Sequence, residues 1–347
     1  MNNLWIQSNS ALMNANAGPL TIEELRSALL EEGRISANAL LTPLSGGVSS
    51  LVAIVEDQGK RWIAKTPLDQ LTVDDEWFVD RSRGTNEAAV LEFLNGALGP
   101  VRTPRLLFFD RARTVFGEEL FEGPPPTYKE VLFNGDGDPD IGSLLGQATA
   151  ALHRLDAPTS LSDDEPRQLF DELRLDPYYR ATAERCPELK DDLASLIDET
   201  LSVSRRCLTH GDLTPKNILI AGDFPVVLDW EVVHVGDGAF DLGTMTAHFV
   251  LKALRTNSAG GPRPLLEAAR RFWLAYDGPV DRGRGFRHTG AVMLARLYGK
   301  SRVDYLNDAA ERQRAHDVGA RALAGDVDGF ESLADLVHTT LNRLGSQ

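Results

Sequence analysis

Cysteine is scarce: Cys186 and Cys207 are the only two, twenty-one residues apart, in no C-x-x-C pattern and with no paired histidines beside them. That argues against a disulfide-stapled scaffold and against a cysteine-rich zinc module. Long apolar runs are missing, and none approaches the roughly 20 residues that span a bilayer. The first ten residues, MNNLWIQSNS, have neither the basic start nor the continuous apolar segment of a secretory signal. A cytoplasmic protein with no membrane partner is therefore expected. Positive charge is short as well, with 36 Lys and Arg against 51 Asp and Glu and a net charge of −15. Nucleic acid, which is bound through basic surface, is not an expected partner. The acidity suits a cationic substrate, although solubility alone accounts for it. Internal repeats and low-complexity segments are absent too. At 347 residues, the chain has the length for two lobes and a large core.

What is present centres on Leu208 to Trp230. Two short apolar runs, Ile218-Leu219-Ile220 and Val226-Val227-Leu228, flank a turn at Ala221-Gly222-Asp223. If they pair as a hairpin, Asn217 and Asp229 fall at the same end of the ladder, where two oxygen ligands share one cation. Asp212 lies five residues before Asn217, close enough in a loop to face the same space. Asp, Asn, Gly and Pro are also ordinary turn residues, and a hairpin needs no chemistry to exist. The spacing decides between the two readings: H-x-D-x-x-x-x-N, an apolar strand, a turn and a second strand ending in Asp reproduce a kinase catalytic loop and metal-binding segment.

The remaining chain can be read as support for that segment. Thr21-Ile22-Glu23-Glu24 is a capping box opening a helix that ends near Gly33, within an N-terminal extension over 1–39. Strands are expected at Leu40-Leu41, 51–55 and 61–65, with Ser45-Gly46-Gly47-Val48-Ser49-Ser50 as a loop between the first two. Small residues there let backbone amides approach phosphate oxygens, although Gly-Gly is also plain turn chemistry. Lys65, at the end of the third strand, is placed to reach phosphates, its alternative being a solvated edge charge. A helix over 83–94 puts Glu87 on the face of Leu91 and Leu94, where a carboxylate wants a cation, with Lys65 the best partner. Two more strands (106–110, 114–116) lead to Pro124-Pro125-Pro126, the best boundary between a nucleotide-binding lobe over 40–120 and a catalytic lobe over 121–347.

Beyond the prolines the pattern is helical. Ile141, Leu144, Leu145, Ala148, Ala151, Leu152 and Leu155 keep to one face, and His153 at the end of that helix reads as a satisfied structural histidine. Residues 157–187 are rich in Asp, Glu and Pro and form part of an insertion over about 157–200. They read as a solvated face or as acceptor-facing carboxylates, among them Asp163, Asp164, Glu165, Asp171 and Asp176. Asp241 reads as an N-cap, and helices are expected over 244–256, 263–276, 287–299 and 303–324, with a last one through Phe330 and Leu341.

These motifs resemble the aminoglycoside phosphotransferase and choline kinase-like family from about Leu41 to the last third. Its most specific parts are His210-Gly211-Asp212 to Asn217 and Leu228-Asp229-Trp230, and Gly236-Asp237 to Asp241-Leu242 is similar to the family's following motif, which steadies the catalytic loop. Gly211 and Trp230-Glu231 stand where protein kinases have Arg and Phe-Gly. The resemblance implies an α+β, bilobal protein-kinase-like fold and transfer of the γ-phosphoryl group of ATP, or of another nucleoside triphosphate, to a small-molecule hydroxyl. By it His210 and Asp212 are catalytic, with Asp212 the base, and Asn217 and Asp229 hold Mg2+. Lys65 binds phosphate with Glu87 as its partner, Gly46, Gly47 and Ser49 line the phosphates, and the backbone from Glu118 through Glu119 and Leu120 to Phe121 holds adenine. Ser-Gly-Gly-Val-Ser-Ser departs from G-x-G-x-x-G, so the loop's contacts are not carried over. Two other readings are a nucleotide-binding pseudokinase scaffold, against which the presence of Lys65, Asp212, Asn217 and Asp229 stands, and a kinase with a protein acceptor, against which the missing H-R-D and A-P-E stand.

Overall fold

In the computed structural model the described residues are 21–44, 49–70, 79–123, 125–161, 164–255 and 260–342. Helix α1 (Ile22–Glu31) begins at the expected capping box: the Thr21 hydroxyl accepts the Glu24 amide at 3.3 Å, and the Glu24 carboxylate accepts the Thr21 amide at 2.7 Å. Its Leu25 and Leu29 pack on an antiparallel sheet of β1 (Leu40–Pro43), β2 (Ser50–Asp57), β3 (Lys60–Pro67), β4 (Leu106–Asp110) and β5 (Val115–Glu118), in the order β1-β2-β3-β5-β4. Alternation along the strands turns Ala53, Val55, Trp62 and Ala64 inward to meet those leucines. Each fully buried leucine contributes about 1.5–3 kcal/mol. Helix α2 (Arg83–Leu94) lies between β3 and β4 in sequence, and its Val90, Leu91 and Leu94 join the core of the larger part of the molecule.

That larger part carries α3 (Tyr128–Phe133), α4 (Pro139–Leu152), α5 (Asp164–Phe170), α6 (Ala181–Arg185), α7 (Lys190–Ser202), α8 (Ala239–Ala253), α9 (Arg263–Ala275), α10 (Arg282–Tyr298), α11 (Ala309–Leu323) and α12 (Phe330–Asn342). Four short strands, β6 (Cys207–Thr209), β7 (Ile218–Ala221), β8 (Phe224–Val227) and β9 (His234–Gly236), form two antiparallel pairs, β6 with β9 and β7 with β8. The fold is thus the five-stranded sheet with one main helix and the larger helical part that the sequence implied. Among the described residues no helix is long and apolar enough to cross a membrane.

Within the acidic stretch the carboxylates follow the solvated-face reading while the apolar residues between them are buried. Asp171–Arg180 is helical, with wide turns, and joins α5 to α6. Pro177, which has no N–H to donate, lies inside it, a position that disfavours a regular ladder. Asp171 pairs with Arg180 at 2.9 Å, Asp176 with Lys300 at 3.4 Å, and Asp164 and Glu165 are exposed at the start of α5. Asp163 lies outside the described residues. Leu169, Phe170, Leu173, Leu175 and Tyr179 are buried, so the segment is part of the core.

Helices α4 and α9 approach through glycine. A Cβ on Gly142 would stand 2.2 Å from the Ala268 carbonyl oxygen, and one on Gly146 2.2 Å from that of Phe272. Both obstacles are backbone, so the helices must separate to admit a methyl group. Gly142→Ala is expected to lower unfolding free energy by about 1–3 kcal/mol, measured as a shift of the denaturation midpoint; an unchanged midpoint would mean that the two helices are free to part.

Candidate active site

Strands β7 and β8 pair with Ile218 opposite Val227, and the Leu228 amide donates to the Asn217 carbonyl at 2.8 Å. Asn217 and Asp229 therefore do emerge at one end of the hairpin. Its outer edges are tied as well: the Ile220 amide donates to Pro126 O at 2.9 Å and the Val227 amide to Arg102 O at 2.8 Å. The hairpin is thereby anchored to the segment between α2 and β4 and to the one that follows β5.

The loop before β7 is held from inside. Gly211 has φ +77°, and a Cβ there would lie 2.6 Å from the Val232 carbonyl, so glycine is required twice over. The buried Asp241 carboxylate accepts the His210 amide at 2.8 Å and the Gly211 amide at 2.9 Å. It is not the cap of α8, because it lies inside the helix and spends its lone pairs on this loop. Beyond it, His153 Nε2 stands 3.2 Å from Asp241 Oδ2, and His153 Nδ1 stands 2.9 Å from the Tyr276 hydroxyl, so His153 is satisfied as expected.

His210 is engaged at both ring nitrogens. It is fully buried, its Nε2 donates to the Leu228 carbonyl at 3.1 Å, and its Nδ1 accepts the Asp212 amide at 3.2 Å. Those two bonds require the neutral Nε2–H tautomer, in accord with burial holding the imidazole below its ordinary pKa. With both nitrogens engaged by backbone and its ring against Trp230, His210 holds the loop, and its Nε2 proton is committed to the Leu228 carbonyl.

Asp212 is buried and asymmetrically held. Its Oδ2 meets Arg174 Nη2 at 2.9 Å, Asn217 Nδ2 at 2.9 Å and Lys216 Nζ at 3.2 Å. Its Oδ1 is buried with no hydrogen-bond partner among the described residues. Burial pushes the carboxyl's pKa up, but Arg174 and Lys216 outweigh burial and hold it below the ordinary aspartate value. The result is an ionised carboxylate with one free oxygen.

Lys65 is buried too, and bridges Glu87 Oε1 at 2.7 Å and Asp229 Oδ1 at 2.8 Å. Burial disfavours the ammonium, yet Asp229 and Glu87 overcome that and raise its pKa well above the usual lysine value. Glu87 Oε1 also accepts the Trp230 amide at 3.1 Å, so α2 is fastened to the residue after Asp229. Asp229 itself has φ +64°, a left-handed conformation that costs a non-glycine residue about 1–2 kcal/mol and turns the carboxylate toward Lys65. Burial raises its pKa, but Lys65 and Lys216 dominate and keep it well below the usual range.

Asn217 Nδ2 also donates to the Asp212 carbonyl at 3.0 Å, which leaves its Oδ1 as the acceptor able to face a cation. An amide oxygen and an ionised carboxylate are hard ligands that suit Mg2+, which fills its shell with waters and substrate phosphates. Among the described residues no three His, Cys, Asp or Glu side chains gather into a cage of their own, so a cation here would need those phosphate oxygens.

The remaining expected residues are placed as follows. Gly46 and Gly47 lie outside the described residues. Ser49 is buried, and its carbonyl accepts the Leu68 amide at 2.9 Å. Glu118 is buried at the end of β5, where burial pushes its carboxyl up and Lys65 opposes it. The Glu119 amide already donates to Arg105 O at 3.0 Å and is not free for adenine, while Leu120 and Phe121 follow it, half-buried.

Two arginines were missed by sequence reasoning. Arg174, inside the acidic stretch, holds Asp212 and donates from Nε to Gly211 O at 3.0 Å. Arg83 is fully buried and uses all five N–H donors: on Glu231 at 3.0 Å, Val79 O at 3.3 Å, Asp80 O at 2.8 Å, Ser49 O at 2.6 Å and Leu68 O at 2.5 Å.

A model of the phosphotransferase enzyme family (APH) matches residues 40–280. Methylthioribose kinase of Escherichia coli O45:K1 (strain S88 / ExPEC) is 25% identical over 250 residues, which cover 64% of this chain and 59% of that protein. The chain spans 59% and 56% of the lengths of the first two curated relatives it matches. Among solved structures, the macrolide 2'-phosphotransferase MphH apoenzyme from Brachybacterium faecium superposes with TM-score 0.52 at 23% identity, over 86% of this chain and 97% of that one. A choline/ethanolamine kinase family protein from Mesorhizobium loti gives TM-score 0.51 at 18% identity, over 91% and 98%. At such identities the two structures speak for the fold.

Proposed function

The chain belongs to the phosphotransferase enzyme family, and from that premise we propose that it transfers the γ-phosphoryl group of ATP to a hydroxyl group of a small molecule. The single observation that carries the reading is Asp212, a buried carboxylate with Oδ2 triply held and Oδ1 unpartnered. In the transfer the acceptor oxygen bonds to the γ-phosphorus, the bridging P–O bond breaks with its electrons to ADP, and the acceptor proton passes to Asp212 Oδ1. Lys65 supplies a fixed positive charge to the phosphates, and Glu87 keeps it aimed. Asn217 Oδ1 and Asp229 would hold Mg2+, which when bound neutralises charge on the phosphate oxygens.

Because Arg174 and Lys216 keep Asp212 ionised, log kcat/KM should show no loss from this group as pH falls from 7 to the ordinary carboxylate region near about 4. Activity dependent on Asp212 then falls only below that, as the carboxylate protonates. A pH–rate profile of the free enzyme checks this, and an Asp212-dependent limb between about 6 and 7, which would demand a neutral carboxyl, would contradict it. The function itself is tested by ADP formation from ATP and Mg2+ with a panel of hydroxylated metabolites and, separately, with protein acceptors. Acceptor-dependent ADP with small molecules is expected; turnover with proteins alone, or none with either, would overturn the reading.

A further inference from the structure

Below the catalytic loop the charge reverses sign against the acidic whole. Lys129 on α3, His248 and Lys252 on α8 and Arg296 on α10 line a cavity of about 50 Å³ with Lys216 and Tyr305. Arg255, just past α8, stands over the same Phe133 and Tyr305 rings as Lys252. Lys252 is 1% exposed, and its ammonium nitrogen reaches the His248 carbonyl one turn back only at a long 3.4 Å. Among the described residues no carboxylate pairs with Lys129, Lys252, Arg255 or Arg296, and Asp304, which also lines the cavity, is exposed. The Tyr305 hydroxyl, Arg296 Nε and Arg255 Nη1 are buried without a hydrogen-bond partner.

The bland account is that the aromatic rings stabilise these cations. Lys129, Lys252 and Arg255 stand 5.7, 5.6 and 4.4 Å from the Phe133 centroid, and Tyr305 packs edge-on to Phe133 at 4.9 Å. A desolvated cation–π contact contributes about 2 kcal/mol, whereas removing one ion from water costs several kcal/mol and the neighbours repel besides. Lys129, Arg255 and Arg296 are only half-buried, and Arg296 also stands 5.9 Å from the Tyr178 centroid and donates from Nη1 to Ser301 Oγ at 2.6 Å, so Lys252 is the cation whose burial the rings do not offset. Burial, with repulsion from Lys129, Arg296 and Arg255, drags Lys252 well below the ordinary lysine pKa. A negative ligand would reverse both costs and supply acceptors for the three unpartnered donors.

Position assigns the ligand's role. Lys216 lines this cavity and also reaches Asp212 Oδ2 at 3.2 Å, so the cluster adjoins the base. The volume suits one oxyanion or one to two waters, at about 30 Å³ per water, and the body of an acceptor would lie outside it. We propose that the basic cluster around Lys252 is an acceptor subsite for a small oxyanion, so that the phosphorylated compound carries a carboxylate or phosphate as well as its hydroxyl. This rests on the kinase reading, because only there does Asp212 face an acceptor. It also narrows what net charge left open, since the acidity suits a cationic acceptor but is accounted for by solubility alone.

The test is calorimetric titration of the full chain, with ADP and magnesium saturating, using inorganic phosphate, acetate and tetramethylammonium as probes. Phosphate or acetate is expected to bind and the cation not to; whichever anion binds more tightly names the group. Lys252→Met and Arg296→Met should each weaken that anion about 10- to 100-fold, the range of one charged hydrogen bond, with ADP affinity unchanged as the control for folding. Equal anion affinity in wild type and both variants, or tighter binding of the cation, would overturn the proposal. Failure of ADP to bind the wild type would instead count against the kinase reading, and the anion arm, repeated without nucleotide, would still read the cluster.

Discussion

Asp212→Asn is expected to lower kcat by about 10²- to 10⁴-fold, the usual contribution of a positioned base. Asparagine keeps the shape, but it has no charge for Arg174 and no basic oxygen for the acceptor proton. ADP affinity should change little, because the groups placed to meet nucleotide, Lys65, Asp229 and the segment after β5, lie on other elements. The loss should therefore fall on kcat rather than on nucleotide binding. A thermal melt separates this from unfolding, since the variant leaves a buried arginine facing a neutral amide. Turnover like the wild type would remove Asp212 from the role and leave its free Oδ1 without a purpose.

The second large effect is on stability. Arg83→Met is expected to cost about 3–5 kcal/mol, because it strands the buried Glu231 carboxylate and frees four carbonyls at once. These partners come from the loop before β2, the end of β3, the turn before α2 and the residue two after Asp229. Arg83 is thus a five-point clamp between sheet and catalytic lobe. Lysine, a point charge with three donors, does not reproduce the fork. Adding Glu231→Leu to Arg83→Met should recover part of the loss, since both buried charges are then gone. Denaturant unfolding of the single and double variants reads this. A cost below about 1 kcal/mol, within the common range of point substitutions, would show that the clamp is not structural.

Much of the site was legible because short-range periodicity and local register carried it. Asn217 and Asp229 meet because a two-strand ladder with a short turn leaves no other register, and Glu87 faces Lys65 because helical spacing put it on the buried face. What was not legible depends on long-range placement. Arg83 merely opens a helix in sequence, and Arg174 is one cation among many charges; nothing local says that either is buried. Local sequence offered Asp241 only the use of a helix cap, and it was the resemblance of Gly236 to Leu242 to the family's motif that pointed to the catalytic loop, whose amides about thirty residues earlier are its partners. In the acidic stretch the solvated carboxylates were legible from charge density, whereas the burial of Leu173, Leu175 and Tyr179 interleaved with them was not. One local signal for the basic cluster did exist: Lys252 sits near the end of α8, a helix buried along its whole length, where a lone lysine asks for a partner.

The central claim is that this chain moves a phosphoryl group from ATP to a small hydroxylated compound through Asp212. The direct measurement is the fate of γ-labelled phosphate after incubation of the full chain with Mg2+ and hydroxylated compounds grouped as anionic, neutral and cationic, with Asp212→Asn as the blank. The account predicts label in a phosphate monoester of a small molecule, drawn from the anionic group, and almost none with the blank. Label only in inorganic phosphate or in protein, or equal transfer by Asp212→Asn, would contradict it.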